Sequence, residues 1–404
     1  MEKITPEQSL YRVIDKVIPG NRDTLMERVN SSEPLKIKFG TDPTGSGLHF
    51  GHAVNLWAMR AMQERGHKVD LVIGDVTARI GDPTGRNQER TELSENEVAA
   101  NADMFLRQIQ MVLLGEPDVF EIHRNSKWYQ SMNAIEFIDK TLRRATLAML
   151  TARNDFRARI DANLPIHGHE LVYQLLQGYD SVHLKTDIAM CGDDQLTNEL
   201  MGRHLQQSSN LSPQEIVTTR LTPGIDGGRK QSKSVGNYIG LTHSPEEQYR
   251  RIMSIPDPLI SDYFEVYTDL LTSQLRSMVA QSLSSNPRDL KMTLAKEMLR
   301  RYHKDEIIEQ AAESYARSAA SGAPDDVPTH IINAPIDLVA FAVKNLKLSK
   351  SEFIRLVKGG AVSIDGKKIA ESDLVERELS LEITRDIVVK YGKNKWVKLK
   401  PSQF

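Results

Sequence analysis

The stretch KIKFGTDPTGSGLHFGHAVNLWAMRAMQERGHKVDLVIG, residues 36–74, decides the fold. IKFG at 37–40 and VDLVIG at 69–74 are short apolar or alternating runs closed by glycine, the pattern of strands running into loops. Between them, His52 to Arg65 sets Val54, Leu56, Trp57, Met59 and Met62 near helical spacing, so the unit reads strand, loop, helix, strand. Such a crossover implies a parallel sheet, whose ligands bind beyond the carboxyl ends of the strands. Asp-Pro-Thr-Gly occurs after the first strand at 42–45 and again after the second at 82–85, so both loops are expected at that edge.

Outward from this unit, the chain of 404 residues is too long for one ordinary core and predicts two or three domains. Hydrophobic content of 40% and charged content of 26% describe a soluble globular protein. A single cysteine, Cys191, excludes an internal disulfide framework and a zinc-type cysteine set, and fits a reducing, cytoplasmic setting. No apolar run reaches the roughly 18 residues of a membrane span, and the N-terminus lacks an export-type apolar core, so no membrane role is expected. The formal net charge is −2, but residues 336–404 hold 14 Lys and Arg against 9 Asp and Glu, which leaves −7 for the remainder. A basic module on an acidic body fits an RNA-contacting appendage.

The pattern predicts a catalytic domain over 1–243, with a helical insertion at about 105–165 that covers one side of the site and a lysine loop at 227–237. Residues 244–320 read as helical throughout, including PEEQYRRIMSI, SDYFEVYTDLL and SQLRSMVAQSL. SGAPDDVPTHIINAP at 321–335 concentrates Pro, Gly and Asp and reads as a linker. In the module over 336–404, Ser349 to Glu352 forms a capping box, Gly359-Gly360 stops a helix, and Asp365-Gly366 between AVSI and KKI reads as a hairpin turn.

Two elements carry chemistry. His49 and His52 lie three apart where a glycine-containing loop enters a helix, so both imidazoles can face an anion held at the helix N-terminus. Gly45, Gly47 and Gly51 have the wrong spacing for a dinucleotide fingerprint, and no Walker A sequence occurs. The second element, Gly227 to Ser234, combines two glycines, three cations and two hydroxyls, a composition suited to phosphate. Separately, the first could merely cap a helix and the second could be a solvated basic loop. Together they bracket one nucleotide site. His167 and His169 invite a metal reading, but beyond Glu170 no nearby carboxylate or cysteine set completes it, and no metal site is expected.

The motifs HFGH at 49–52 and KQSKS at 230–234 resemble the two signatures of the class I aminoacyl-tRNA synthetases. The resemblance is closer to the bacterial tyrosyl branch and spans essentially the whole chain through KFGTDPTGSGLHFGH, IGDPTGR, YQLLQGYDSVHLKTD, GDDQLTNELMGR and KQSKSVGNYIG. It implies a Rossmann-like parallel α/β catalytic domain with a helical insertion, then an all-α anticodon-binding domain and a small α+β S4-like domain. The implied reaction joins L-tyrosine to ATP, releases pyrophosphate, and passes the tyrosyl group to tRNA(Tyr), with Mg²⁺ as helper and a homodimer as the assembly. The resemblance assigns phosphate chemistry to His49, His52, Lys230 and Lys233. It assigns ATP contacts to Gly40, Asp42, Thr44, Gly51, Gly192, Asp194 and Ser234, and amino-acid contacts to Lys38, Asp82, Tyr173, Gln177, Asp180 and Gln195.

These residue types suit the reaction, because an amino-acid carboxylate is already ionised at neutral pH and attacks the α-phosphate without a protein base. What remains is stabilising the charge spread over the phosphates, a task for cations and imidazole donors. Tyr173, Gln177 and Asp180 have i, i+4 and i+7 spacing and would share one polar helix face. The chain departs from the usual pattern at Cys191, at Asp193 and at Gln231, which stands where methionine is usual, and it has Lys38 where many relatives have tyrosine. These departures leave open a paralogue that activates a tyrosine analogue. Two further alternatives are a catalytically silent protein that binds structured RNA, and a small nucleotidyltransferase. The second has no use for the helical and S4-like regions.

Overall fold

Six strands form the central sheet of a computed structural model that describes all residues except 1, 2, 45, 46, 84–93, 229, 234, 272, 275–285, 322–326, 334, 375–377, 393, 394, 403 and 404. They are β1 (Ile14–Ile18), β2 (Lys36–Thr41), β3 (Lys68–Ile73), β4 (Phe120–Arg124), β5 (Ile188–Cys191) and β6 (Glu215–Thr219), in the order β1-β6-β5-β2-β3-β4. All neighbours are parallel except β1, which runs antiparallel to β6 at one edge. From β2 the chain builds outward through β3 and β4 and then returns to add β5 and β6 on the other side. The switch point therefore lies between β2 and β5, where a parallel sheet opens a crevice for ligands. Ile37, Val69, Leu71, Val72, Ile73, Ile188, Ala189, Ile216 and Val217 are buried, the nearly continuous apolar runs of a sheet covered on both faces.

The deciding unit forms with the helix at Phe50–Gln63 between β2 and β3, and His49 is its extended N-cap. Two further helices, Gly168–Leu184 and Leu196–Ser208, flank β5. They cross where Gly178 faces Gly202: a Cβ on Gly178 would stand 3.1 Å from the Gly202 nitrogen and 3.2 Å from Leu205 Cδ1. This close approach sets Gln177 of one helix against Asn198 and Glu199 of the other.

Several expectations change. The insertion at 105–165 is not wholly helical, because it contains β4, which pairs with β3 and extends the main sheet. Strand β1 was equally silent in the sequence. Ile336–Asp337 pairs with Ser380–Leu381, and Thr329–Ile332, inside the expected linker, is a strand paired with Trp396–Pro401. Each is short and gains its hydrogen bonds from a distant partner, so local periodicity carries little sign of it.

The chain divides into two compact units: residues 1–243 with 251–298, and residues 244–250 with 299–404. The helical region expected over 244–320 is thus shared between them. Residues 251–298 belong with the sheet because Tyr263 donates to Pro223 O at 2.6 Å, Arg220 pairs with Glu265 at 2.8 Å, and Ile4 N donates to Asp269 O at 2.7 Å. The expected helix at 273–283 lies largely outside the described residues.

In the second unit, Lys367–Lys368, Val362–Ile364, Ile387–Tyr391, Trp396–Pro401 and Thr329–Ile332 form a five-stranded sheet in that order. Its core joins Phe353 and Val357 of the Lys350–Lys358 helix to Val362, Val389 and Val397. Ser349 caps that helix by accepting from Glu352 N at 3.2 Å. Asp365 and Gly366 take φ of 47° and 83°, the positive pair that a two-residue hairpin turn requires. No helix among the described residues is long and apolar enough to cross a membrane.

Candidate active site

A cavity of about 710 Å³ opens at the carboxyl ends of β2 and β5. Gly40, Asp42 and Thr44 line it from the loop after β2, and Gly192, Asp194 and Gln195 from the loop after β5. A Cβ on Gly40 would meet no protein atom within 4 Å, so its smallness leaves room for a ligand and is not demanded by packing. Asp42 is held by Tyr173, whose hydroxyl donates to Oδ2 at 2.9 Å, and by Thr77, which donates to Oδ1 at 2.7 Å.

On one side of the cavity the imidazoles of His49 and His52 stack with centroids 3.7 Å apart. The His49 N–H donates to His52 Nδ1 at 3.2 Å, which puts the proton of a neutral His52 on Nε2. Burial above all, helped by the neighbouring lysines, depresses His52 to about 4 and His49, which also feels His52, to about 2. Both are therefore neutral donors at physiological pH. His49 Nδ1 is buried without a protein partner among the described residues.

The lysine loop closes over the pair. Phe50 N donates to Ile239 O at 2.8 Å, and Leu241 N donates to Leu48 O at 3.0 Å. Lys233 donates to Gly47 O and lies 5.7 Å from the centre of the Phe105 ring. Burial lowers its pKa. Lys230, 57% exposed, stands 3.7 Å from Asp194.

The cavity's other end is built by the Gly168–Leu184 helix. Asp180 is buried, accepts from Trp128 Nε1 at 3.0 Å, and lies 2.9 Å from the Tyr129 hydroxyl. Desolvation raises its carboxyl to about 7 against the opposing pull of Lys38 and these donors. One turn away, Gln177 donates to Glu199 at 2.9 Å, and Gln195 donates to Asp82 at 2.7 Å.

The family model of class I tRNA synthetases (W and Y) matches residues 30–318. The chain belongs to the class I tRNA synthetases. Among relatives of this synthetase, the tyrosine–tRNA ligase of Moorella thermoacetica is 38% identical over 96% of this chain and 94% of its own length. That of Ralstonia nicotianae is 41% identical over 84% and 87%. The fold is shared with a C-terminally truncated mitochondrial tyrosyl-tRNA synthetase of Aspergillus nidulans, at TM-score 0.64 and 20% identity over 77% of this chain and 93% of that one. It is also shared with the tyrosyl-tRNA synthetase of Archaeoglobus fulgidus, at TM-score 0.57 and 21% identity over 76% and 98%.

The synthetase cavity brings together every catalytic, ATP and amino-acid contact that the resemblance assigned except Lys38 and Ser234. Ser234 lies outside the described residues, as does all of the IGDPTGR motif beyond Pro83. Lys38 sits behind the lining, 2% exposed, with its ammonium 2.8 Å from Glu199, 2.7 Å from Ser181 Oγ and 3.3 Å from Gln177 O. Three acceptors occupy its three N–H bonds. Glu199 was missed by sequence reading, although it stands four residues from Gln195 in the quoted GDDQLTNE segment. Gln231 is buried, donates to the Tyr267 hydroxyl at 2.8 Å and accepts from Ile239 N at 3.2 Å, so the substitution for methionine is absorbed by polar partners. Asp193 pairs on the surface with Lys16 at 2.5 Å, and Cys191 is buried at the end of β5 with its thiol pushed up by burial.

His167 and His169 form no three-ligand group among the described residues, and Glu170 is taken by Arg159 at 2.6 Å. The one such group described is Asp70, Glu121 and His123, where His123 already bonds Asp70 at 2.9 Å and Lys68 reaches Glu121 at 2.5 Å.

Gly51 carries a direct test of the imidazole stack. A Cβ there would stand 3.0 Å from both Cε1 and Nδ1 of His49, so Gly51→Ala must displace that ring. Expected is a fall of roughly tenfold to a hundredfold in the rate of ATP–pyrophosphate exchange, with the KM for the amino acid unchanged. A rise in that KM with an unchanged rate would contradict the assignment.

Proposed function

We propose that the cavity activates L-tyrosine with ATP, releases pyrophosphate, and delivers the tyrosyl group to the terminal ribose of tRNA(Tyr). The observation that carries this reading is the pairing of two unlike ends in one cavity. Neutral imidazoles and lysines stand at one end, and a buried carboxyl beside Trp128 and Tyr129 stands at the other.

The reacting carboxylate has to reach the α-phosphate, so the amino-acid backbone lies toward the nucleotide and its side chain points away, toward Asp180. His49, His52, Lys230 and Lys233 meet the phosphates. Neutral N–H donors and a partly desolvated ammonium stabilise the charge developing there without needing a proton transfer. Gly40, Asp42, Thr44 and Gly51 frame the nucleotide, and Gly192 and Asp194 face the ribose. Asp82, Tyr173, Gln177 and Gln195 surround the amino-acid backbone. Magnesium enters as part of the substrate, MgATP.

The basic module over 336–404 and the helices before it serve the tRNA. Ile135, Ile138, Leu142, Leu147, Ile160 and Leu164 are exposed apolar residues of the insertion, which supports its use as a homodimer face. The cytoplasm is the matching compartment.

Amino-acid-dependent ATP–pyrophosphate exchange, run with the standard amino acids and several ring-modified tyrosines, tests the reading. Tyrosine is expected to give the highest kcat/KM, and charging of tRNA(Tyr) to follow. Exchange silent with tyrosine but active with a modified tyrosine would replace tyrosine as the substrate.

A further inference from the structure

Behind the amino-acid end of the cavity, Asn198 is 1% exposed and does not itself line the space. Its Nδ2 donates to Gln177 Oε1 at 3.0 Å and to Gln195 Oε1 at 2.9 Å. Its Oδ1 accepts from Arg153 Nη1 at 3.1 Å. Arg153 in turn is fixed by a two-point pair with Asp155, at 3.1 and 2.8 Å.

Every amide orientation in this relay is dictated by a charge. A side-chain amide facing a guanidinium has to present oxygen, so Asn198 turns its NH2 toward both glutamines. A side-chain amide facing a carboxylate has to present NH2. Gln177 does so to Glu199 at 2.9 Å and Gln195 to Asp82 at 2.7 Å. Glu199 cannot swing away, because its other oxygen holds Lys38 and Gln214, each at 2.8 Å. Three pinned ends thus leave one self-consistent arrangement for three amides.

We propose that Asn198, held by Arg153, is a positioning residue for recognition of the substrate's α-ammonium. It fixes the amide oxygens of Gln177 and Gln195 so that, with Asp82, they converge as acceptors. Each of these oxygens receives one hydrogen from Asn198 and keeps a second lone pair. With the amides reversed, the same two side chains would present N–H groups to a cation. The inference rests on the proposed placement of the amino-acid backbone beside Asp82, Gln177 and Gln195.

Asn198→Leu keeps the heavy-atom count and branching, and removes both donors together with the acceptor that meets Arg153. Calorimetric titration of the full-length protein with tyrosine, tyramine and 3-(4-hydroxyphenyl)propanoate separates the possibilities, since tyramine retains the ammonium and the propanoate lacks it. In Asp82→Asn, affinity for tyrosine and tyramine is expected to fall at least tenfold relative to the wild type, while that for the propanoate holds. In Asn198→Leu, affinity for tyrosine and tyramine should fall about tenfold to a hundredfold, and that for the propanoate should stay within about threefold. In exchange assays the KM for tyrosine should rise while the KM for ATP holds.

If Asp82→Asn leaves tyramine binding untouched, the placement of the ammonium fails and the proposal with it. If Asp82→Asn discriminates but Asn198→Leu weakens tyramine and the propanoate alike, the placement stands and the orienting role is overturned. Should Asn198→Leu not fold, Asn198→Ser, whose single hydroxyl hydrogen serves one glutamine at a time, is read by the same comparison.

Discussion

Asp180→Asn is expected to remove most of the preference for tyrosine over phenylalanine in pyrophosphate exchange and, in the same protein, to raise the melting temperature above pH 7. The first effect follows from burial. A site built around a substrate hydroxyl rejects the analogue without it because the site's own polar group is then stranded. The tyrosyl enzymes are themselves the reference case at roughly 10⁵-fold, a figure adopted from them. Asparagine keeps the oxygen that accepts from Trp128, but it offers the phenol a weaker acceptor than a carboxylate. Discrimination should therefore fall by two or more orders of magnitude, roughly the range for losing one charge-assisted hydrogen bond at a buried site.

The second effect follows from the carboxyl held at about 7 by desolvation. Between its ordinary value of 3.8 and about 7, the folded protein keeps a proton that the unfolded chain has released. Folding stability therefore falls as pH rises through that window, and the full cost, of order 4 kcal/mol, persists above it. Asparagine has no such window. Melting curves of both proteins at pH 5 and pH 8, without ligand, should show the variant gaining several degrees on the wild type at the higher pH. Equal destabilisation at both values would mean that Asp180 is not an ion held out of water at cost. An unchanged tyrosine-to-phenylalanine ratio would remove it from the substrate's ring end.

How much of this was legible in the sequence depends on how local each signal is. The β2-loop-helix-β3 unit could be read because glycine-closed strands and a helical apolar spacing lie within 40 consecutive residues. The polar face of Tyr173, Gln177 and Asp180 followed from helical geometry alone, and the structure places all three on the cavity. Strands β1 and β4 and the strand at Thr329–Ile332 are defined by partners far along the chain, so nothing nearby announces them.

The same limit applies inside the site. Lys38 was legible as a departure, but its role depends on Glu199, 161 residues later, which neutralises it at 2.8 Å. A buried ion pair of this kind is strongly destabilised when only one partner is removed, whereas each residue alone looks like an ordinary surface charge in the sequence. Asn198 lay within a quoted motif, and no spacing rule marks it, because its partners come from the Gly168–Leu184 helix, from Arg153 and from its own helix start at once.

The phosphate end makes an equally sharp distinction between two lysines that the sequence presents as equals. Lys233→Met is expected to lower kcat for adenylate formation by about 10²- to 10³-fold, the usual loss when one preorganised donor to a developing charge is removed. Lys230→Met should cost about tenfold. Lys233 is half-buried beside Phe105 and anchored on Gly47 O, where a charge is weakly screened. Lys230 is 57% exposed, and water screens its field. Tyrosine affinity should be unaffected in both, since Lys233 is anchored on Gly47 O and Lys230 stands beside Asp194, at the nucleotide end.

The imidazoles sharpen the test through pH. With His52 at about 4 and His49 at about 2, neither gains a proton above pH 5, so neither imidazole should give the kcat profile an acid limb near the ordinary histidine value of 6.5. On the alkaline side kcat should fall as Lys233, its pKa lowered by burial, releases its proton, and that limb should vanish in Lys233→Met. An acid limb near 6.5 that disappears in His52→Asn would show instead that a charged imidazole meets the phosphates. The neutral-donor arrangement built on the stacked pair would then have to be abandoned.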